Sequence, residues 1–273
     1  MIFLPLHAQA QAAVKKVSAP IKYAVSGSPD YAVDVRPTTL AYSVRLNDWP
    51  IADSPGVPQG QSTSTRVFTS IINGRNTLTI HIAQPKRPSP RIPYFEVRVR
   101  NAEGVVFTYV WDSTKAHAPL PIQIEAHFEA HVSHALWTWQ TGQKITLDAP
   151  TEQAINAQTR RLFDTLSAKN AKEASALFAV RTREDGVVSG IAPTQAEQQA
   201  HEEWVEAFAS PHWRMDPVDY AHLRYTLLAQ GKVVLVQRAD GGDVLRTVAD
   251  PDGNVISYDI YLSLINGQWT IIR

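Results

Sequence analysis

Apolar and polar residues alternate through the first half of the chain, from about residue 20 to about residue 118. In "TLAYSVRLNDWPI" the apolar positions are Leu40, Tyr42, Val44 and Leu46, and an Asn-Asp turn signal follows. The same pattern recurs in "TSIINGRNTLTIHI" and in "YFEVRVRNAEGVVFTYVW", each interrupted by Asn and Gly. A period of two is typical of strands with one buried face. Several short strands without helical segments between them predict an antiparallel β-sandwich.

The stretch "PIQIEAHFEAHVSHALWTW", Pro121 to Trp139, fits two patterns. Apolar residues occupy every second position from Ile122 to Val132, which is typical of a strand. Apolar residues also recur every fourth position from Ile124 to Leu136, which is typical of a helix. Strict alternation in a β context favours the strand. One solvent-facing side of that strand then carries Gln123, Glu125, His127, Glu129 and His131.

From Asp148 onward the pattern becomes helical. Asp148 or Thr151 is a candidate cap for the first helix, while Asn170 and Thr194 are candidate caps for two more, each with a glutamate three residues later. Alternating apolar segments and Gly-containing turns follow the helices. Strands are predicted at residues 223–228, 233–237, 244–248, 256–265 and 269–272. This order predicts an α+β unit of three helices and an antiparallel sheet.

These patterns divide the chain into three parts. Residues 1–19 are predicted to be a signal remnant or tail, residues 20–147 an antiparallel β-sandwich domain, and residues 148–273 an α+β domain. The fold class is therefore all-β plus α+β. The first 150 residues hold 14 Lys+Arg against 10 Asp+Glu, and the remainder 12 against 16. This asymmetry agrees with two domains that have different surfaces.

Composition narrows the function classes. The formal net charge is zero, which argues against a general nucleic-acid binder. Nothing after the N-terminus has the apolar length of a transmembrane segment. The absence of cysteine excludes disulfides, thiolate metal sites and cysteine nucleophiles. The N-terminal "MIFLPLHAQAQA" has a short apolar run followed by small residues, which favours an incomplete signal peptide and a periplasmic protein. A tail on a cytoplasmic protein is the alternative.

The histidines of the 121–139 stretch raise the question of a metal site. His127 and His131 are four residues apart, a spacing that places two ligands on one face of a helix. On a strand the two lie about 13 Å apart, at roughly 3.3 Å per residue, which is too far for one zinc ion. We therefore predict no metal and no cofactor. The alternating carboxylate and imidazole groups are interpreted as a solvated face that could contact a partner, with pH-dependent binding.

Trp137 and Trp139 are candidate partner-binding or sugar-stacking residues, because large aromatic side chains serve both purposes. The interpretation that we favour is that they close the seam between the two domains. "DPDGN", Asp250 to Asn254, faintly resembles a calcium loop but is better explained as a hairpin turn. No nucleophile elbow, Ser-x-x-Lys pair or glycine-rich phosphate loop is present, so the sequence predicts a protein that is not an enzyme.

Several segments together resemble an uncharacterised bacterial two-domain family. Its members are encoded beside secreted antibacterial effectors of type VI or type IV secretion systems and are thought to act as immunity proteins. The resemblance lies in "YSVRLNDWPI", "SIINGRNTLTIHI", "HFEAHVSHALWTW", "LFDTLSAKNAKEASALFAVRTRE", "QGKVVLVQRADGG" and "YLSLINGQWTII". The second of these also resembles jelly-roll ligand-binding modules, and the C-terminal part is similar to NTF2-like cones. The family resemblance implies no catalytic residues.

Three functions remain open from the sequence. The leading hypothesis is a periplasmic immunity protein that neutralises a secreted effector by direct protein–protein binding, with a protein partner and no cofactor. The alternative is a small-ligand or carbohydrate-binding module of the cell envelope. A hydrolase whose site is assembled from distant residues is the third.

Overall fold

The computed structural model describes residues 31–54, 61–84, 91–115 and 119–273. The predicted signal remnant or tail at residues 1–19 lies outside these residues, as does the start of the predicted sandwich domain. Within the described part, the chain is a mixed α+β protein with antiparallel sheets, as the sequence predicted.

The N-terminal part of the described chain contains two four-stranded antiparallel sheets, which we call the N-terminal sheets. The order of the first sheet is β4-β1-β6-β7, formed by Thr63–Arg66, Ala32–Pro37, Tyr94–Asn101 and Gly104–Asp112. The order of the second is β3-β2-β5-β8, formed by Trp49–Asp53, Ala41–Leu46, Gly74–Ala83 and Ile122–Ala130. Buried side chains from both sheets, such as Val35 and Ile80, belong to one hydrophobic core.

Residues Ile122–Ala130 of the 121–139 stretch form a strand, and the helical alternative is wrong for them. Strand β8 alternates between exposed polar residues and partly or fully buried apolar ones. It pairs with β5 in a continuous antiparallel register from Ile82↔Ile122 to Gly74↔Ala130. The strand ends at Ala130, so His131 and Val132 lie beyond it. A strand needs ladder partners as well as alternation, and β5 offers none beyond Gly74.

The C-terminal unit consists of helices followed by a sheet. The helices are α1 Thr138–Thr141, α2 Ala149–Ser167, α3 Ala171–Leu177, α4 Ala179–Ser189 and α5 Pro193–Ala209. The sheet has the order β14-β13-β10-β9, formed by Gln268–Ile271, Ile260–Ile265, Val233–Gln237 and Arg224–Leu228. Between β10 and β13 a short hairpin pairs β11 Leu245–Arg246 with β12 Ser257–Tyr258. The buried faces of α2 and α5 pack with this sheet in a second core.

Two of the three expected helix caps are confirmed. The Asp148 carboxylate accepts a hydrogen bond from Thr151 N at 2.9 Å, and the Asn170 amide oxygen accepts one from Glu173 N at 3.2 Å. The third expectation is wrong in detail, because α5 begins at Pro193 and Thr194 lies within its first turn. Proline is well suited to the first helical position, which explains the earlier start.

Helix α4 was missed by the sequence analysis. Its sequence "AVRTREDGVVS" contains β-branched residues and a glycine, which have low helix propensity. Gly186 is buried, and a Cβ added there would lie 2.8 Å from the Cβ of Ala196 in α5. The glycine therefore allows α4 and α5 to pack closely, and this tertiary contact outweighs the weak local preference.

A third cluster of buried residues joins the N-terminal sheets to the C-terminal unit, and we call it the seam. Trp49 at the start of β3 packs here with Trp139, at a ring-centroid distance of 5.9 Å, and with Tyr261 of β13 at 5.4 Å. The other buried members are Trp137, Leu228, Ala229, Val233 and Ile272. The short helix α1 carries Trp139 into the seam.

Candidate functional site

Strands β7 and β8 lie at the edges of the two N-terminal sheets. Within the described residues each has one hydrogen-bonded neighbour, β6 for β7 and β5 for β8. The two edges are adjacent, since the rings of Phe107 in β7 and Phe128 in β8 are 6.4 Å apart. Each strand is nine residues long. We call this surface, formed by β7 and β8, the open side.

Strand β7 exposes apolar side chains along its edge and has a bulge at Val106, between the pairs Phe107↔Val99 and Val105↔Arg100. Val105, Val106 and Val110 are 53%, 39% and 48% exposed. No charged residue occurs between Gly104 and Asp112. Long edge strands normally carry charges, proline or a bulge that oppose pairing with another chain. Of these, β7 has only the bulge, and an uncharged apolar edge is suited to being covered by a partner.

Strand β8 contributes the polar side of the same surface. Glu125, His127 and Glu129 are exposed on one face, as the sequence predicted. The His127 Nε2 atom lies 3.4 Å from Glu125 Oε1, and its Nδ1 atom lies 3.3 Å from the hydroxyl oxygen of Thr77 on β5. Four of the five polar residues predicted for this face, Gln123 and these three, thus lie together on one strand. His131 is displaced from them, and its backbone N donates to the Tyr31 hydroxyl at 3.1 Å.

His134, the third histidine of the motif, has a packing role. Its ring lies 4.0 Å from that of Trp137, between ring centroids, and its Nδ1 atom is 2.7 Å from the Ala135 carbonyl oxygen. In the described part of the chain, no group of three or more His, Asp or Glu residues is placed to hold a metal ion. Asp250 lies in a turn closed by the 2.9 Å hydrogen bond from Gly253 N to its carbonyl oxygen, as the hairpin interpretation of "DPDGN" requires.

Trp137 and Trp139 lie in the seam, which was the favoured interpretation of these residues. They are 2% and 7% exposed. Their indole Nε1 groups donate to the carbonyl oxygens of Ile71 and Thr69, at 2.9 and 3.1 Å. Neither ring presents a free face on which a sugar or partner could stack. A partner-binding role would require that the seam open, and we do not include these two residues in the site.

The seam is bordered by a charged group that the sequence analysis missed. Glu184 of α4 accepts a hydrogen bond from Thr138 N at 2.6 Å. Burial raises the pKa of Glu184, and this effect is opposed by that hydrogen bond and by the positive charge of Arg273. Burial also lowers the pKa of Arg273 to about 10. These groups contribute to the junction of α4 with α1.

A serine–histidine pair bears on the hydrolase alternative. The Ser175 hydroxyl oxygen lies 3.1 Å from His201 Nδ1 across α3 and α5. However, the Ser175 hydroxyl is also 2.8 Å from the Ala171 carbonyl oxygen, to which it donates within its own helix. A serine nucleophile must donate its proton to the histidine. With its proton directed at a carbonyl oxygen, Ser175 lacks that arrangement.

No family model, curated protein or solved structure matches this chain. None of the helices in the described residues combines the length and apolar character that a membrane crossing requires.

Proposed function

We propose that this chain is a non-enzymatic binding protein that docks a protein partner on its open side. The observation that carries the proposal is the pair of adjacent nine-residue edge strands, one of which is uncharged and exposes three valines. An extended segment of the partner would add to such an edge through main-chain hydrogen bonds. The valines would provide apolar contacts that become buried on binding.

The polar face of β8 would set the specificity of this interaction. Glu125, His127 and Glu129 lie beside the free edge, so a partner on β8 would contact their side chains. Complementary charge mainly controls association rate and partner choice.

The partner that we propose is a secreted antibacterial effector, which would make the chain an immunity protein acting by occlusion. The family resemblance and the apolar N-terminal run support this proposal, and the same run supports export to the periplasm. In this proposal the two N-terminal sheets are the layers of a β-sandwich, and α2, α3 and α5 are the three helices of the second domain. A cytoplasmic location is the alternative, and fractionation of cells that express the full chain distinguishes the two.

The test introduces a positive charge among the exposed apolar residues of β7. We expect Val106→Lys and Val110→Lys to abolish capture of the effector encoded by the adjacent gene, and protection against its toxicity, while the thermal unfolding midpoint stays close to that of the wild type. Val205→Lys, on α5, is the matched control, because Val205 is also exposed, at 52%. Loss of capture in all three variants would contradict the open side as the interface. Absence of any effector binding or protection by the wild type would overturn the immunity function itself.

A further inference from the structure

A groove with a volume of 460 Å³ lies between α4, α5 and β12, outside the open side. Its floor consists of three aromatic rings, from Phe178, Trp204 and Tyr258. The ring centroid of Trp204 is 5.4 Å from that of Phe178 and 5.3 Å from that of Tyr258. Ligand sites commonly have volumes of about 300–1,000 Å³ and are lined by apolar and aromatic groups with a few polar ones. The groove has this character.

Three charged side chains border the aromatic floor. Arg181 is partly neutralised by Asp185, since its Nε atom lies 3.7 Å from the Asp185 Oδ2 atom. Glu203, on α5, is exposed and forms no ion pair with any of the described residues. The three formal charges therefore leave one net negative charge at the groove, and it is located on Glu203.

The groove also has uncharged polar groups, from Thr182, Ser189, Gln199 and Tyr258, and the Tyr258 hydroxyl makes no hydrogen bond to the described protein atoms. Burial raises the pKa of Tyr258 to about 12, and the neighbouring negative charge of Glu203 acts in the same direction. The phenol therefore stays protonated at physiological pH and is available as a donor or acceptor. An uncommitted hydroxyl beside an unpaired carboxylate is a polar arrangement that a ligand can complete.

We propose that this groove binds a compact amphipathic amine, whose apolar body lies on the aromatic floor while its ammonium group pairs with Glu203. Aromatic faces attract cations, which adds to the attraction of the carboxylate. The Arg181–Asp185 pair closes one end of the groove and contributes little net charge. This inference is independent of the function proposed for the open side.

Three probes with a common phenyl body test the charge preference of the full-length wild-type chain by titration calorimetry. They are phenethylamine, the neutral 2-phenylethanol and the anionic 3-phenylpropanoate. We expect the amine to bind about tenfold more tightly than the alcohol, which corresponds to an ion pair with an exposed carboxylate plus a cation–π contact, and the anion to bind most weakly. Equal affinity for all three probes, tighter binding of the anion, or no binding of the amine would overturn the proposal.

Variants locate the site. We expect Glu203→Gln to weaken amine binding about fivefold to tenfold and to leave alcohol binding unchanged. Glu206→Gln is the matched control, because Glu206 is exposed on the same helix but does not line the groove. Ala200→Leu, which places a larger side chain in the groove, should abolish binding of both probes. Equal effects of the two glutamate variants, or full binding by a folded Ala200→Leu variant, would contradict the assignment.

Discussion

The guanidinium carbon of Arg273 lies 4.2 Å from the centroid of the Trp49 ring. Arg273 follows the last strand of the C-terminal sheet, whereas Trp49 begins β3 of the N-terminal sheets. A cation on an aromatic face in a desolvated setting is therefore part of what holds the two halves together.

A double-mutant cycle measures this contact. We expect Trp49→Leu and Arg273→Met to be coupled by about 0.5–2 kcal/mol, because a cation–π pair at a buried site has this magnitude. Urea denaturation of the wild type, the two single variants and the double variant provides the four free energies of unfolding. Additive effects of the two substitutions would show that the observed geometry contributes nothing to stability.

Glu184→Gln should remove a contribution to stability that grows as pH falls. Because burial raises the pKa of Glu184 above its ordinary 4.5, the folded protein binds more protons than the unfolded chain between these two values. The wild type therefore gains stability as pH falls through that interval, and this contribution is lost as pH rises through the folded pKa. The variant lacks this gain, and its amide oxygen can still accept from Thr138 N.

Thermal unfolding of the wild type and Glu184→Gln between pH 4 and 8 tests this expectation. At neutral pH the variant should be at least as stable as the wild type, because it buries no charge. Glu206→Gln, on the exposed surface of α5, should follow the wild-type profile. The stability of the wild type relative to Glu184→Gln should increase as pH falls, and a difference that stays constant or shrinks on acidification would contradict the raised pKa.

Gly142→Ala should be destabilising although its φ of −59° suits any residue. A Cβ at this position would clash with the Ser263 hydroxyl oxygen and would lie 3.2 Å from the Lys232 carbonyl oxygen. We expect a loss of about 1–3 kcal/mol, as is typical of overpacking. Adding Ser263→Ala removes the clashing hydroxyl, so the double variant should lose less than the sum of the two single variants. Urea denaturation measures all three, and strict additivity would exclude the clash.

Asn76 is the centre of a buried polar network in the second N-terminal sheet. Its amide oxygen accepts from Ile72 N at 3.0 Å and from Asn47 Nδ2 at 2.7 Å, and its amide nitrogen donates to Gly74 O at 2.9 Å. Asn76→Ala would leave several of these groups without partners, at about 1–3 kcal/mol for each buried one. The control is Asn73→Ala, since Asn73 is exposed and accepts from Val132 N at 3.2 Å. Chemical denaturation should show a larger loss for Asn76→Ala.

Local patterns in the sequence predicted the elements well where they were strong. The alternation around His127 predicted β8, and Asp148 and Asn170 were correctly predicted as caps. The ends of the strands were predicted less accurately, because a strand ends where its hydrogen-bonded partner strand ends. Strand β8 stops where β5 stops, and the predicted strand at residues 244–248 is reduced to Leu245–Arg246 because its partner β12 has two residues.

The sites depend on contacts that no local pattern contains. The uncharged run of β7 is visible in the sequence, but its position at a sheet edge beside β8 is a result of topology. Likewise, Tyr258 meets Trp204 only when the β11–β12 hairpin packs on α5. The alternating His and Glu residues of β8 are exposed, as their pattern predicts. The burial of Trp137 and Trp139 depends on contacts in the seam, which a single sequence does not reveal.

The pairing of the N-terminal sheets also affects how the protein folds. Ala32 pairs with Arg100 and Gly74 with Ala130. To form these pairs, the chain must first bring together residues that are far apart in sequence. In the C-terminal sheet, Leu228 pairs with Val233 across a few residues, and Ile265 pairs with Gln268. Folding slows as contacts become more distant in sequence. We therefore expect the C-terminal sheet to form faster than the N-terminal sheets, although it is synthesised last, and Trp49 to pack into the seam late in folding.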